Sequence, residues 1–167
     1  MQMREATSDD LDMILQWRNS LETRRVMFTD HEISKNEHLK WWSNVQNDKT
    51  KKVLLFVYDG KECGVINYFD IKQDGSSCHW GFYLSDKDFS APVKMNIWLK
   101  LEGCAIEFAF EKIKVRNLIC ETFDFNKPVL AVHKRFGFKE TGFEIYDKNN
   151  IKVRVVVTEL NRDEYNK

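Results

Sequence analysis

The chain has 167 residues, with 26 Lys and Arg balanced by 26 Asp and Glu. That length suits one domain with one sizeable core, and the zero net charge excludes the broad basic field of a general nucleic-acid or membrane-surface binder. No apolar run reaches membrane-spanning length and none follows the basic Arg4, so neither a membrane span nor a signal peptide is expected.

Cys63, Cys78, Cys104 and Cys120 are scattered through apolar segments without a Cys-x-x-Cys pair. They read as free thiols of a reducing cytoplasm, not as a zinc site or a disulfide framework, and no metal is expected. Residues 2–6 alternate as a short first strand. Thr7, Ser8 and Asp9 offer helix caps, and Asp9, Asp10 and Asp12 suit the positive end of a helix dipole. A helix is predicted from there to Asn19 and Ser20, with Leu11, Ile14, Leu15 and Arg18 sharing a face. Residues 22–32 read as irregular around an apolar island, Val26-Met27-Phe28. Ser34 and Glu37 have the spacing of a capping box, and His38, Trp41, Trp42 and Val45 follow at helical spacing. Residues 53–58, 63–71 and 78–84 form an antiparallel meander. Its first two strands are joined through Asp59-Gly60, a two-residue turn that needs positive φ. A loop is expected over residues 85–92, and residues 95–112 carry the longest helical pattern.

Residues 119–123 are short and apolar, as a buried strand would be. Asn126 offers a helix cap, and Pro128 fits a first turn. Val129, Val132, His133 and Phe136 recur at helical spacing, and Gly137 ends the helix before Phe138. A hairpin around Lys148-Asn149-Asn150 closes the chain. The run from Asn126 through the small helix to Gly137-Phe138 resembles the acetyl-CoA-binding half of the GCN5-related N-acetyltransferases, which commonly carry a tyrosine where His133 stands. The element order of that family extends over nearly the whole chain. The resemblance implies a single α/β (α+β) domain over residues 1–167, with a mixed, mostly antiparallel sheet of about seven strands flanked by about four helices.

The N-terminal half carries a narrower resemblance. Trp17-Arg18-Asn19, Val26-Met27-Phe28, Glu37-His38-Leu39-Lys40-Trp41 and Gly64-Val65-Ile66-Asn67-Tyr68 are similar to a subfamily that acetylates the 4-amino group of a UDP-linked amino-dideoxy sugar. That subfamily belongs to pseudaminic acid biosynthesis, which supplies flagellin glycosylation. The resemblance implies acetyl-CoA as co-substrate, a small nucleotide-sugar acceptor and a cytoplasmic enzyme, and it leaves a homodimer open. Arg18 offers a forked cation to a diphosphate. His38 can donate to a phosphate or sugar oxygen, and Met27, Phe28 and Trp41 can stack on uracil or line a deoxysugar pocket. Each of these residue types also suits a core or an ordinary surface, Trp17 and Trp42 above all.

For the chemistry, the family places an oxyanion donor among the backbone N–H groups near Phe82, Tyr83 and Leu84, and Asn126 against the pantetheine arm. His133 is the candidate to protonate the departing thiolate, although it equally suits packing on a helix face. Glu121, His38 or a water chain is the candidate base for the incoming ammonium, and Glu121 reads more readily as a structural carboxylate. The family's pyrophosphate loop usually contains glycines, but residues 89–98 contain none. Phosphate contacts there would fall to the side chains of Ser90, Lys94 and Asn96. That departure keeps two alternatives in view: an acetyltransferase for a protein N-terminus or another amine, and a non-catalytic acyl-CoA or nucleotide-sugar binding module.

Overall fold

The computed structural model describes residues 2–85 and 89–165. Seven strands form one sheet: β1 Gln2–Glu5, β2 Lys52–Tyr58, β3 Lys61–Phe69, β4 Ser77–Leu84, β5 Asn117–Phe123, β6 Lys139–Lys148 and β7 Ile151–Asn161. Their order across the sheet is β1-β2-β3-β4-β5-β7-β6. Every neighbouring pair is antiparallel except β4 and β5, which run parallel. The helices among the described residues are α1 Leu11–Asn19, α2 Leu21–Val26, α3 Lys35–Asn47, α4 Ala91–Phe108, α5 Lys127–Arg135 and α6 Arg162–Tyr165.

β2 explains how the layers are filled. Its near-continuous apolar run serves both faces, as expected of a strand buried on two sides. Leu54 and Phe56 join a core with Ile97, Leu101, Ala105 and Ile106 of α4. Val53 and Leu55 join a second core with Leu11, Ile14 and Trp17 of α1 and Trp42 of α3. Trp17 and Trp42 are therefore core residues. The sheet thus carries α4 on one face and α1 and α3 on the other.

The local signals act as their chemistry requires at three points. Asp59 and Gly60 take φ of 50° and 74° in the β2–β3 turn. The Ser34 hydroxyl accepts from the Glu37 N–H at 3.2 Å at the start of α3. Gly137 takes φ of 95° at the end of α5.

Elsewhere the structure differs from the sequence reading. Residues 21–26 are helical, because the Ser20 side chain accepts from the Thr23 N–H and caps α2. The Glu37 carboxylate does not complete the capping box but lies 3.0 Å from His31 Nε2. α4 starts at Ala91, before Met95, with Pro92 in its first turn, where a missing N–H costs nothing. Of the loop expected over residues 85–92, residues 86–88 lie outside the described residues. Asn126 sits at the N-cap of α5, but its side chain makes no capping bond. α2 and the four-residue α6 raise the helix count above the four expected.

Gly64 lies where β3 passes beneath α4. A Cβ there would sit 2.7 Å from Leu101 Cδ1 and 3.0 Å from the Tyr83 carbonyl oxygen, and a carbonyl held in a sheet cannot retreat. Gly64→Ala should therefore destabilise the protein by about 1–3 kcal/mol through overpacking, read as a lower urea midpoint with an unchanged m-value. An unchanged midpoint would mean that Leu101 and β4 give way freely.

Candidate active site

β4 and β5 pair through only three rungs, Ser77–Asn117, Cys78–Leu118 and His79–Ile119. β4 then stays paired with β3 out to Leu84, and β5 stays paired with β7 out to Phe123. The two halves of the sheet diverge, and a cleft of about 450 Å³ opens between them. Lys94 and Trp98 of α4 and Asn126 and Val129 of the α5 region line it from one face. Arg18 of α1, Thr23 of α2 and the following Met27 and Phe28 line it from the other.

Of the residues expected at the cofactor, Phe82, Tyr83, Leu84, Lys94 and Asn126 line this cleft. Beyond His79, β4 has no strand on its β5 side among the described residues. Its free backbone groups can receive an extended ligand as an added strand. Asn126, released from capping α5, keeps its amide available there. Ser90 is the N-cap of α4 but makes no side-chain cap, and the first turn holds no acidic residue. An 18-residue helix with uncapped first-turn N–H groups offers a phosphate its positive end without any glycine. Lys94 adds a charge and is paired with Glu22 of α2 at 3.3 Å. Asn96 turns away and donates to the Tyr58 hydroxyl at 3.2 Å. The chain therefore fits acetyl-CoA through the β4 edge, the start of α4, Lys94 and Asn126, while Ser90 and Asn96 stand off the cleft wall.

On the opposite side, Arg18, Met27 and Phe28 are brought together as expected. Arg18 Nη2 donates to the Thr29 carbonyl at 2.6 Å, while its buried Nη1 has no protein partner. Burial lowers its pKa from the ordinary guanidinium value. Phe28 packs on Phe123 of β5 at 4.8 Å and on Tyr146 of β6 at 5.1 Å, closing the far wall. His38 and Trp41 are not on the wall. His38 is buried, with Nε2 3.1 Å from the Leu11 carbonyl, and ties α3 to α1. Trp41 stacks on that imidazole at 4.9 Å. Burial lowers the pKa of His38, which favours the neutral ring.

The two residues expected to act in the chemistry are placed differently. Glu121 lines the cleft, with Oε1 3.3 Å from His79 Nδ1. His133 is fully buried on the α4 side, stacked on Phe138 at 4.9 Å and near Trp80 at 5.7 Å. Its Nε2 lies 3.7 Å from Oε1 of Glu102, which is also fully buried. Burial lowers His133 to about 4 and raises Glu102 to about 8, so near pH 6 both are neutral. An imidazole is shorter than the phenol common at this position, and here it turns toward a buried carboxyl and away from the cleft. Cys120 also lines the cleft, but burial pushes its thiol up to about 12. No group of three or more His, Cys, Asp or Glu is placed to hold a metal ion among the described residues, and no helix there is long and apolar enough to cross a membrane.

Sequence reasoning missed Asn67, Phe69, Trp80, Gly81 and Trp98, all of which line the cleft. Strand alternation contained part of that signal: Asn67 and Phe69 on β3 and Gly81 and Tyr83 on β4 share a face.

A family model described as Acetyltransferase (GNAT) domain matches residues 1–139. Acetyltransferase PseH of Campylobacter jejuni subsp. jejuni serotype O:2 is 31% identical over 146 residues, which cover 87% of this chain and 83% of that protein. The solved structure of spermidine N-acetyltransferase from Vibrio cholerae in complex with CoA and spermine aligns with a TM-score of 0.84 at 15% identity, covering 99% of this chain and 98% of the other. That of Campylobacter jejuni N-acetyltransferase PseH in complex with acetyl coenzyme A aligns with a TM-score of 0.69 at 22% identity, covering 96% and 98%. At such identities the structural likenesses show the fold alone.

The buried Glu102–His133 pair gives stability a defined pH dependence. Glu102 is raised, so its contribution is full below its unfolded value near 4.5 and is lost as pH rises toward about 8. His133 is lowered, so its contribution is full above its unfolded value near 6.5 and is lost as pH falls toward about 4. The two slopes cancel between about 4.5 and 6.5, which leaves a net loss on the order of 2 kcal/mol between pH 6.5 and 8. Urea melts across that range should show the loss in the native protein and not in Glu102→Gln; the same loss in both would mean that Glu102 is not its source.

Proposed function

This chain belongs to the GCN5-related N-acetyltransferase (GNAT) family, and from that premise we propose that it acetylates the amino group of a nucleotide-linked amino-deoxy sugar. It is an N-acetyltransferase, and acetyl-CoA is its co-substrate. The observation that carries the acceptor reading is Arg18, a partly buried guanidinium on the acceptor side of the cleft with Nη1 unclaimed by the protein. A guanidinium with a free N–H favours a phosphate or diphosphate group. Met27 and Phe28 beside it supply apolar surface for a base or a deoxysugar.

The carboxylates of the cleft support the same reading. Glu22 is paired with Lys94, and Glu121 lies beside His79. A polyamine brings several positive charges and favours a wall of excess carboxylates, whereas here the lining carboxylates Glu22 and Glu121 are matched by the lining cations Arg18 and Lys94. The curated relatives named Acetyltransferase PseH add support from sequence for an acetyltransferase, and the pseudaminic acid pathway follows from the resemblance of the N-terminal motifs.

Acetyl-CoA supplies the activated acetyl group. The chain supplies the geometry that brings the acceptor amine to it, so that two bound reactants no longer need to find each other. In this reading the backbone N–H groups on the free edge of β4 around Phe82–Leu84 stabilise charge developing on the acetyl oxygen. Cys120 stays a thiol at neutral pH and is a poor covalent relay. Transfer is therefore direct, from thioester to amine within one ternary complex.

A thiol-release assay with acetyl-CoA and a UDP-4-amino-4,6-dideoxy sugar tests this. Arg18→Ala should raise the acceptor KM by about 10- to 100-fold, the effect of losing a charged hydrogen bond, with the Kd for acetyl-CoA unchanged. Acetylation of spermidine but not of the nucleotide sugar would overturn the reading.

A further inference from the structure

We propose that the tip of the β6–β7 hairpin sets the acceptor side of the cleft, and that Lys148 is the residue through which it does so. Lys148 is a positioning residue in this account: it holds the segment that carries Met27 and Phe28 and touches no reacting atom. The inference rests on the acceptor reading of that wall but not on which amine-bearing molecule meets it.

Residues 27–30 follow α2 outside any helix or strand. Backbone carbonyls need partners, and a segment without helix or sheet pairing must find them elsewhere. Here all four consecutive carbonyls accept from side chains. Lys148 Nζ donates to the carbonyl of Met27, the Tyr146 hydroxyl to that of Phe28 at 3.4 Å, Arg18 Nη2 to that of Thr29 at 2.6 Å, and Arg24 Nε to that of Asp30 at 2.8 Å. The Asp30 carboxylate is held as well: the Asn149 side-chain amide donates to it at 2.7 Å, and Lys148 Nζ lies 3.7 Å away. Arg18 and Arg24 grip the segment from its own helices. Tyr146 and Lys148 reach it from 118 and 121 residues along the chain.

The hairpin has the length and the turn to do this. Phe123, the last residue of β5, pairs with Val155, so residues 151–154 of β7 and their β6 partners 145–148 project beyond the end of β5. Asn149 and Asn150 take φ of 53° and 64°, the two positive values of a type I′ turn. The Asn150 N–H donates to the Asp147 carboxylate at 2.9 Å and closes that turn. Lys148 is then directed inward: its Nζ lies 4.9 Å from the centre of the Phe123 ring, and only 14% of its side chain is exposed. A cation over an aromatic face, with a carbonyl and a carboxylate beside it, is fixed from three sides. The same Phe123 ring meets Phe28 at 4.8 Å and Tyr146 at 5.8 Å. One ring therefore supports both the lysine and the aromatic wall that the lysine holds in place.

Arg18 joins this clasp to binding. Its Nη2 is committed to Thr29, and its buried Nη1 has no partner among the described residues. An anionic group taken by Nη1 is thus bound by the same guanidinium that fixes the segment from the α1 side, while Lys148 fixes it from the β6 side. With Lys148 removed, Met27 and Phe28 lose the anchor on their far side, and the wall they form is no longer held at one width. The clasp contains no residue of the β4 edge or of the start of α4. Its loss therefore acts on the acceptor and spares acetyl-CoA.

Limited proteolysis of the full-length protein reads the clasp, and a thiol-release assay with acetyl-CoA and the amino sugar reads its consequence. Lys148→Met keeps the stem over Phe123 and removes the donor. It should speed chymotryptic cleavage after Phe28 by about tenfold, as a charged hydrogen bond that closes the segment is lost, with cleavage elsewhere unchanged. It should also raise the acceptor KM by about tenfold, leaving kcat and the Kd for acetyl-CoA at native values. Lys148→Arg, which restores a cationic donor, should recover most of the KM. Asn149→Gly keeps the positive φ and removes the amide that holds Asp30, so it should raise the acceptor KM by a smaller factor. Native cleavage after Phe28 in Lys148→Met would overturn the clasp. Faster cleavage with a native acceptor KM would overturn its part in acceptor binding, as would an acceptor KM and an acetyl-CoA Kd that rise together. If the native protein leaves the amino sugar unmodified, the substrate reading fails instead; the cleavage comparison still decides the clasp, and KM is measured on the primary amine that the protein does acetylate.

Discussion

Pairing between β4 and β5 stops at His79–Ile119, and the rest of the site depends on that stop. A sheet normally pairs every backbone N–H and C=O it buries, because an unpaired buried group costs as much as a lost hydrogen bond. Here the cost is confined to one seam. β3 holds β4 from His79 to Leu84 and β7 holds β5 along its full length, so the sheet keeps its integrity while its middle opens. The seam is also the only parallel pair among the described residues. A parallel neighbour needs a long crossover, and that crossover is α4, whose first turn is thereby brought to the cleft. One interruption of pairing accordingly produces the free strand edge, the cleft and the helix N-terminus together.

The opening is backed by aromatic packing on the α4 side. Trp80 stacks on Phe82 at 5.5 Å and on Phe138 at 6.1 Å, and Phe82 leans on Trp98 at 5.9 Å. These rings tie β4 to α4 and to the start of β6, and they fill volume that would otherwise let β4 close toward β5. Glu102 and His133 sit within this layer, where burial drives both to their neutral forms. A buried ion pair would have to offset the desolvation of two charges. The neutral pair avoids that, at the cost of making stability sensitive to pH.

What could be read from the chain was local. Period-two alternation, the Asp59-Gly60 turn, the Ser34 cap and the Gly137 terminus each draw on neighbours in sequence, and all appear in the fold. α2 escaped because it is a six-residue helix with no apolar stripe, and a single capping serine was too slight a signal beside its run of charges. The direction of His133 was not legible for another reason. Helical spacing put it on one face with Val129, Val132 and Phe136, but its buried partner Glu102 comes from α4, which ends well before β5 begins. His38 and Trp41 had residue types that suit a ligand wall, yet the packing of α3 on α1 turned them inward. Gly81 was invisible because a glycine's significance there is the space above it, and that space exists only once β5 has diverged.

The start of α4 shows how one requirement can be met by different residues. A glycine-rich loop lets backbone N–H groups close around phosphate. α4 instead begins with Ser90 making no side-chain cap, Pro92 in the first turn and Lys94 one turn in. The helix dipole does not depend on which side chains precede it, so the positive end survives the loss of glycine. What changes is the closeness of approach, which Lys94 offsets with a mobile charge. That charge is held by Glu22 of α2, on the opposite side of the sheet, through an exposed ion pair at 3.3 Å. Such a pair contributes little to stability and yields readily to a better anion. It therefore bridges the two walls of the cleft across its open end without committing Lys94, which under the proposed function stays free to meet a phosphate.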